Sequence, residues 1–293
     1  MRTIRQLVAA AGVTIAAVHA AAAVAPFQAD TARPKLTGIN HVAFRVSDLT
    51  AASRFYGDVL GLPARSPSSG RAVFDVGHRQ RVVLEAGLPA TEEERLWHLA
   101  FETPDLKALA MHLQSRGMEV QPAQQCDEGG IRVTDPDGHV IEFVPAKWPP
   151  ERQAAAPGRS LSNRLLHAGL TVRDEQAAHR FYRDTLGFSE IWRGGRKEGV
   201  TQWVNMRVPN GTDYLEYMLV SSPPDRRQRG VLHHLALQVP DIQAAWEEAA
   251  RRTPEAARAQ LNPPQIGVNG RWQLNLFDPD GTRSELMEPF TAR

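Results

Sequence analysis

His41-Val42-Ala43-Phe44-Arg45-Val46-Ser47-Asp48 is the stretch on which this 293-residue chain turns. It recurs as His98-Leu99-Ala100-Phe101-Glu102-Thr103-Pro104-Asp105, as His167-Ala168-Gly169-Leu170-Thr171-Val172-Arg173-Asp174, and as His234-Leu235-Ala236-Leu237-Gln238-Val239-Pro240-Asp241. Each copy opens on histidine, alternates in the manner of a half-buried strand and ends on aspartate, with apolar residues at helical spacing after it. Aspartate suits that junction, because its carboxylate accepts hydrogen bonds from the first unpaired N–H groups of a helix. Four copies make the strand–helix segment the unit of construction.

Working outward, the first unit places Leu49, Ala52, Phe55, Tyr56, Val59 and Leu60 on a helix stopped by Gly61, with strands over 72–76 and 81–86. The second has a helix over 104–116 and strands near 118–121, 131–134 and 139–144, the last entered through the turn Asp135-Pro136-Asp137-Gly138. In the third, Phe181-Tyr182 and Leu186-Gly187-Phe188 repeat Phe55-Tyr56 and Leu60-Gly61-Leu62, and strands follow over 189–193, 201–208 and 213–220. The fourth has a helix over 240–252, an extra segment over 253–264, and strands over 272–277 and 283–288 around Asp278-Pro279-Asp280-Gly281. Residues 146–162, rich in proline and alanine without apolar periodicity, read as a linker. The expected class is α+β, with four strand–helix–strands units in two pairs.

A formal net charge of +1 with scattered basic residues argues against a nucleic-acid partner. The densest basic run, Arg226-Arg227-Gln228-Arg229, reads as a solvated loop. Cys126 is the only cysteine, which excludes an intrachain disulfide and a thiolate metal cage. Arg2 and Arg5 precede a charge-free apolar run over 7–25, with small residues at Ala21-Ala22-Ala23 and Ala23-Val24-Ala25. This predicts a signal peptide over 1–25, a lead-in over 26–37 and an exported, periplasmic protein with no stable membrane insertion after cleavage. The alternative is an uncleaved anchor, since about 19 apolar residues can span a bilayer. His19 and the weak hydrophobicity of alanine count against it.

Strand parity decides where the histidines point. Val42, Phe44 and Val46 must meet the helix, so His41, Ala43 and Arg45 face the other way; the other three copies split alike. Each unit also has a late-strand glutamate opposed to its apolar neighbours: Glu85, Glu142, Glu216 and Glu285. The separation is 44 residues from His41 to Glu85 and from His98 to Glu142, 49 from His167 to Glu216 and 51 from His234 to Glu285. Imidazoles and carboxylates converging on one spot form a donor set suited to divalent Fe, Mn, Ni, Co or Zn, with positions left for substrate. A single such pair is more often a satisfied strand histidine beside a solvated glutamate; four pairs favour metal.

These openings, together with Asp135-Pro136-Asp137-Gly138-His139-Val140-Ile141-Glu142 and Asp278-Pro279-Asp280-Gly281-Thr282-Arg283-Ser284-Glu285, resemble the vicinal oxygen chelate superfamily. That superfamily takes in glyoxalase I, extradiol dioxygenases, bleomycin-resistance-type binding proteins and methylmalonyl-CoA epimerase. The resemblance covers 38–145 and 163–290. It implies four βαβββ modules pairing into two cup-shaped mixed sheets, one per domain, with a metal in the cup. His41, Glu85, His98 and Glu142 would form one site, and His167, Glu216, His234 and Glu285 a second. If outer and inner modules pair instead, the same ligands regroup.

The chemistry implied is that of a glyoxalase-like lyase or isomerase acting on a small vicinally oxygenated molecule. It would proceed through a metal-stabilised enolate, with Glu142 or Glu285 as base. The alternatives are extradiol-type ring cleavage and non-catalytic binding of the resistance type. Dioxygenases of this kind usually have a histidine and a tyrosine shortly before the Asp-Pro-x-Gly turn. This chain has Val268-Asn269-Gly270-Arg271-Trp272-Gln273-Leu274-Asn275-Leu276-Phe277 there. Export also disfavours glutathione or coenzyme A adducts as substrates. Trp192, Trp203, Asn205, Arg207 and Tyr214 enrich the third unit in aromatic and polar groups, which makes the second half the expected substrate site; core or rim packing is the alternative. The expected partner is a small molecule, and the expected state a monomer or homodimer.

Overall fold

The computed structural model describes residues 33–65, 70–77, 79–90, 95–123, 129–146, 159–259 and 261–292. The expected signal peptide, most of the lead-in, Cys126 and residues 147–158 of the linker lie outside the described residues. Among those described, no helix is long and apolar enough to cross a membrane.

Two curled mixed sheets with few helices make an α+β fold. The first sheet contains β1 (Gly38–Val46), β2 (Arg71–Val76), β3 (Gln80–Ala86), β4 (Leu96–Thr103), β5 (Gln121–Pro122), β6 (Ile131–Thr134) and β7 (Val140–Pro145), in the order β2-β3-β1-β4-β7-β6-β5. The second contains β8 (Leu165–Val172), β9 (Ser189–Gly194), β10 (Trp203–Arg207), β11 (Tyr214–Leu219), β12 (His234–Gln238), β13 (Gln265–Ile266), β14 (Arg271–Phe277) and β15 (Arg283–Thr291), in the order β13-β14-β15-β12-β8-β11-β10-β9. The histidine strands pair antiparallel at each centre, β1 with β4 and β8 with β12. The glutamate strands β3, β7, β11 and β15 run parallel beside them. Unit one therefore shares a sheet with unit two, and unit three with unit four.

The aspartate closing each repeat caps the helix after it. Asp48 accepts from the Thr50 and Ala51 amides ahead of α1 (Leu49–Arg54), and Asp105 from Ala108 ahead of α2 (Leu106–Ser115). Asp174 does the same for α3 (Glu175–Ala178). The segment 226–229 is not the solvated loop expected of it. Asp225 and Gln228 form a capping box that starts a helix, α4 (Arg226–Leu232), whose Arg226 carbonyl accepts from Arg95 of β4's approach. Basic residues are good helix formers once a cap is present, and charge alone does not report it. Asp241 caps α5 (Ile242–Arg252), and the inserted segment carries the short α6 (Glu255–Arg258).

One continuous apolar core takes side chains from both halves: Phe101 of β4 meets Phe188, which follows the third unit's helix, edge-on at 5.3 Å. The two Asp-Pro-Asp-Gly turns stitch across it. Asp280 accepts from the Ser47 amide at 2.8 Å, and Asp137 from the Arg173 Nε at 2.8 Å. Tyr182 donates to Asp135 at 2.8 Å, and Tyr56 lies 3.5 Å from Asp278.

Candidate metal centres

Strand register places the donors in rows. In the second sheet Glu216 lies beside Gly169, which faces His234; Glu285 lies beside Ala236, which faces His167. Each row thus brings a glutamate of one module to the histidine of the other. The Nε2 atoms of His167 and His234 are 3.0 Å apart. Glu216 Oε2 is 3.3 Å from His234 Nε2 and 3.9 Å from His167 Nε2, while Glu285 Oε2 is 3.4 Å from His167 and 3.9 Å from His234. All four groups are buried. Gly169 is what admits the imidazole, since a Cβ there would overlap the ring of His234.

In the first sheet Glu142 lies beside Ala100, which faces His41, and the Nε2 atoms of His41 and His98 are 2.9 Å apart. Glu142 Oε2 is 3.7 Å from His98 Nε2. Glu85 does not join this group. It lies beside Arg45, two residues beyond the position equivalent to Glu216, and pairs with Arg71 at 3.2 Å. Val83, beside Ala43, holds the equivalent place. A step of two residues keeps the side chain on the same face but moves it about 7 Å along the strand. The first cup therefore presents two histidines and one carboxylate, the second two and two.

These donor sets fit a divalent cation. His41 Nδ1 lies 2.7 Å from Asn40 Oδ1, and the Asn40 amide nitrogen donates to Glu102 at 3.0 Å. That chain fixes the amide's orientation and makes Nδ1 the protonated nitrogen, so Nε2 presents a lone pair. His234 Nδ1 lies 2.9 Å from the Leu232 carbonyl, which makes it the protonated nitrogen; the Nε2 lone pair then accepts from Arg283 Nη2 at 2.9 Å, a contact that a bound metal would replace. Burial holds the His41 and His234 pKa values well below normal, aided by His98, Arg71 and Arg81 for His41, and by Arg283 and His167 for His234. Burial, with the charges of Arg71 and Arg132, lowers His98 to about 3. Burial works to raise the Glu285 pKa, but the hydrogen bond to His167 and the charge of Arg283 outweigh it and lower the value. Neutral His41, His98 and His234, and an ionised Glu285, are in the state that metal binding requires of them.

The residues expected to touch substrate share the second cup's face. Asn205 pairs with Glu216 across β10–β11, with Trp203 and Arg207 two residues to either side. Arg207 is exposed and Trp203 half-buried. Tyr214 is buried, its ring 4.6 Å from that of His167. Asn205 is only 5% exposed and its Oδ1 has no partner. Asn275, unremarked in the sequence, pairs with Glu285 and likewise has an unpartnered Oδ1, so a carboxamide flanks each carboxylate. Asn40 escaped notice because alternation sends it to the face opposite His41. A register shift between Ile39 and His41 brings the two side chains together. A further buried pair joins the halves: His139 and His233 have Nε2 atoms 3.3 Å apart, with His139 Nδ1 2.9 Å from Asp135.

Residues 38–143 and 164–286 match the family model of the Glyoxalase/Bleomycin resistance protein/Dioxygenase superfamily, and the chain belongs to that family. Over 290 residues it is 29% identical to Metapyrocatechase 2 of Cupriavidus necator, covering 91% of this chain and 86% of that one. Among solved structures, the 2,3-dioxygenase LapB from Pseudomonas sp. KL28 has TM-score 0.67 at 18% identity, covering 89% of this chain and 96% of LapB. The Mn(II)-bound glyoxalase from Novosphingobium aromaticivorans also has TM-score 0.67, at 20% identity, covering 87% of this chain and 83% of the glyoxalase. At these identities the structures speak for the fold.

Proposed function

We propose that this chain is a divalent-metal-dependent enzyme that moves a proton on a small molecule bearing two adjacent oxygens, with the second cup as its working centre. The observation that supports this most directly is the pair of histidines with Glu216 and Glu285 to either side, each glutamate flanked by a neutral carboxamide. When bound, the metal polarises the substrate oxygens and stabilises the charge left by proton removal. Glu285 is the base: it is buried, ionised and 3.4 Å from His167, and its Oε2 takes the proton from the substrate carbon. Asn205 and Asn275 orient the substrate's hydroxyl or carbonyl groups, with Trp203, Arg207 and Tyr214 along the same wall. In the first cup, Glu142 holds the corresponding place.

A second reading, extradiol ring cleavage, is favoured by the match along nearly the whole chain to Metapyrocatechase 2. Two assays on metal-loaded protein separate them: solvent deuterium exchange into α-hydroxycarbonyl compounds, and oxygen uptake with a panel of catechols. Exchange that E285Q abolishes supports proton transfer; oxygen uptake without exchange replaces it with ring cleavage. Ligand binding with neither activity leaves a sequestering protein. We also propose that the segment 1–25 directs export of the chain; recovery of full-length protein in the cytoplasmic fraction alone refutes this.

A further inference from the structure

Register allows the two cups to be compared position by position. The second cup's rows are Asn205–Glu216–Gly169–His234 and Asn275–Glu285–Ala236–His167. The corresponding rows of the first cup are Val73–Val83–Ala43–His98 and Arg132–Glu142–Ala100–His41. In these rows the first cup has one carboxylate fewer, with Val83 in place of Glu216, and a guanidinium, Arg132, in place of the Asn275 carboxamide. One layer along, Trp203–Met218–Thr171 of the second cup is replaced by Arg71–Glu85–Arg45, which adds another unit of positive charge. The second cup has a cation of its own, Arg283, but it lies 2.9 Å from the ring nitrogens of His234 and is accompanied by two carboxylates.

We infer that the first cup is a separate ligand site, selective for a small oxyanion of the carboxylate or phosphate type, which binds at a divalent ion held by His41, His98 and Glu142 with Arg132 as its counter-charge. Three protein donors, one of them anionic, leave a divalent ion with net positive charge and open positions, so an anionic oxygen donor completes it better than a neutral one. Arg132 sits on the cup face directly across from Glu142, and its hydrogen-bond acceptor is the neutral Gln121, 3.2 Å from Nη2. Val83, 2% exposed, and the adjacent Val73 make the opposite wall apolar, which limits water and strengthens a charge–charge contact. The site stands independently of the proton transfer proposed for the second cup.

The test uses the full chain loaded with Co(II), whose visible absorption reports a change of ligand, titrated with oxalate and with inorganic phosphate. The expected result is a saturable spectral change with at least one of these anions. R132Q should weaken it about tenfold or more, as loss of a charge-assisted contact does, whereas R132K keeps it within about threefold. H98A should abolish it. V83E, which supplies the missing carboxylate, should weaken it without removing cobalt, and so covers the case in which H98A does not fold. The inference is overturned if neither anion binds, if R132Q leaves the isotherm unchanged, or if H234A abolishes the isotherm while H98A spares it. None of these readouts depends on turnover, so an inert second cup would leave them intact.

Discussion

Asp278 and Asp135 occupy the same place in the two Asp-Pro-Asp-Gly turns, yet replacing each with asparagine should move stability in opposite directions. Asp135 Oδ1 accepts from the Asp137 and His139 amides, and its Oδ2 meets Tyr182 and His139 Nδ1. Burial tends to raise its pKa, but His139 and the hydrogen bonds outweigh this and lower it. Asp278 Oδ1 likewise accepts from the Asp280 and Thr282 amides, but Thr282 stands where Asp135 has a histidine. Burial, against the Thr282 amide and with the Asp280 charge, raises Asp278 to about 6 from an ordinary 3.8. A carboxylate whose folded pKa is raised binds more protons when folded, so it costs stability as pH rises through the window between about 4 and 6. Roughly two pKa units at about 1.4 kcal/mol each amount to ~3 kcal/mol above pH 7. Asparagine retains the Oδ1 acceptor and carries no charge. D278N should therefore be more stable than wild type by ~3 kcal/mol at pH 8, with most of the gain gone at pH 4. For a chain of this size that is about 5 °C in Tm. Asp135 contributes stability above its unfolded pKa that is lost as pH falls through its depressed folded value, so D135N should be destabilised at pH 8. Urea denaturation at both pH values measures this. A D278N variant no more stable than wild type at pH 8, or equally stabilised at pH 4, refutes the burial argument.

Three further outcomes bear on the cups. Elemental analysis should find two divalent ions per chain, one in H98A and one in H234A, and a full complement in either variant would detach that histidine from metal binding. In G169A the new methyl group meets the His234 ring, so cobalt in the second cup should bind at least about tenfold more weakly while the first cup is spared; unchanged Co(II) titrations would show that the ring has room to move. Removing the partner that fixes the His41 tautomer, in N40L, should weaken the first cup's metal by roughly 10–100-fold and leave Glu102 without its amide donor, which equilibrium dialysis and denaturation can follow together.

Much of this architecture is legible in the repeats. Histidine, alternation and a terminal aspartate specify strand, cup face and helix cap at once, because parity and capping are local properties of the backbone. The pairing of modules is not local: the strands in each half could form the same hydrogen bonds with other partners, and only packing selects among them. Glu85 illustrates the limit. Its distance from His41 in sequence equals that of Glu142 from His98, and its parity is right, but spacing along the chain includes the loop. The loop of the first unit is two residues out of step with the strand register that decides which side chain reaches the metal. Asn40 and Asn275 were illegible for related reasons, one depending on a bulge and the other on cross-strand pairing with β15.

The interlocking of the halves constrains how each cup can be studied. The first half supplies Ser47 and Tyr56 to the turn that leads into the strand of Glu285, and Asp135 and Asp137 to the entry of the third unit. Cutting the chain at the linker would leave Asp135 without Tyr182 and expose Phe101 and Phe188 to water. Burying a Phe side chain is worth roughly 1.5–3 kcal/mol. A half expressed alone would therefore lose core area and turn contacts together, and failure to bind metal would report unfolding as readily as missing donors. Point substitutions in the full chain avoid this, because His98 and His234 each end in a cup, away from the shared core. The same geometry explains how the cups can differ. The turns and core are shared, so each half is held in place by the other, while the cup faces belong to one half each. Exchanges such as Glu216 for Val83 or Asn275 for Arg132 lie on those faces, where they alter charge and donor number without disturbing the contacts that hold the two sheets together.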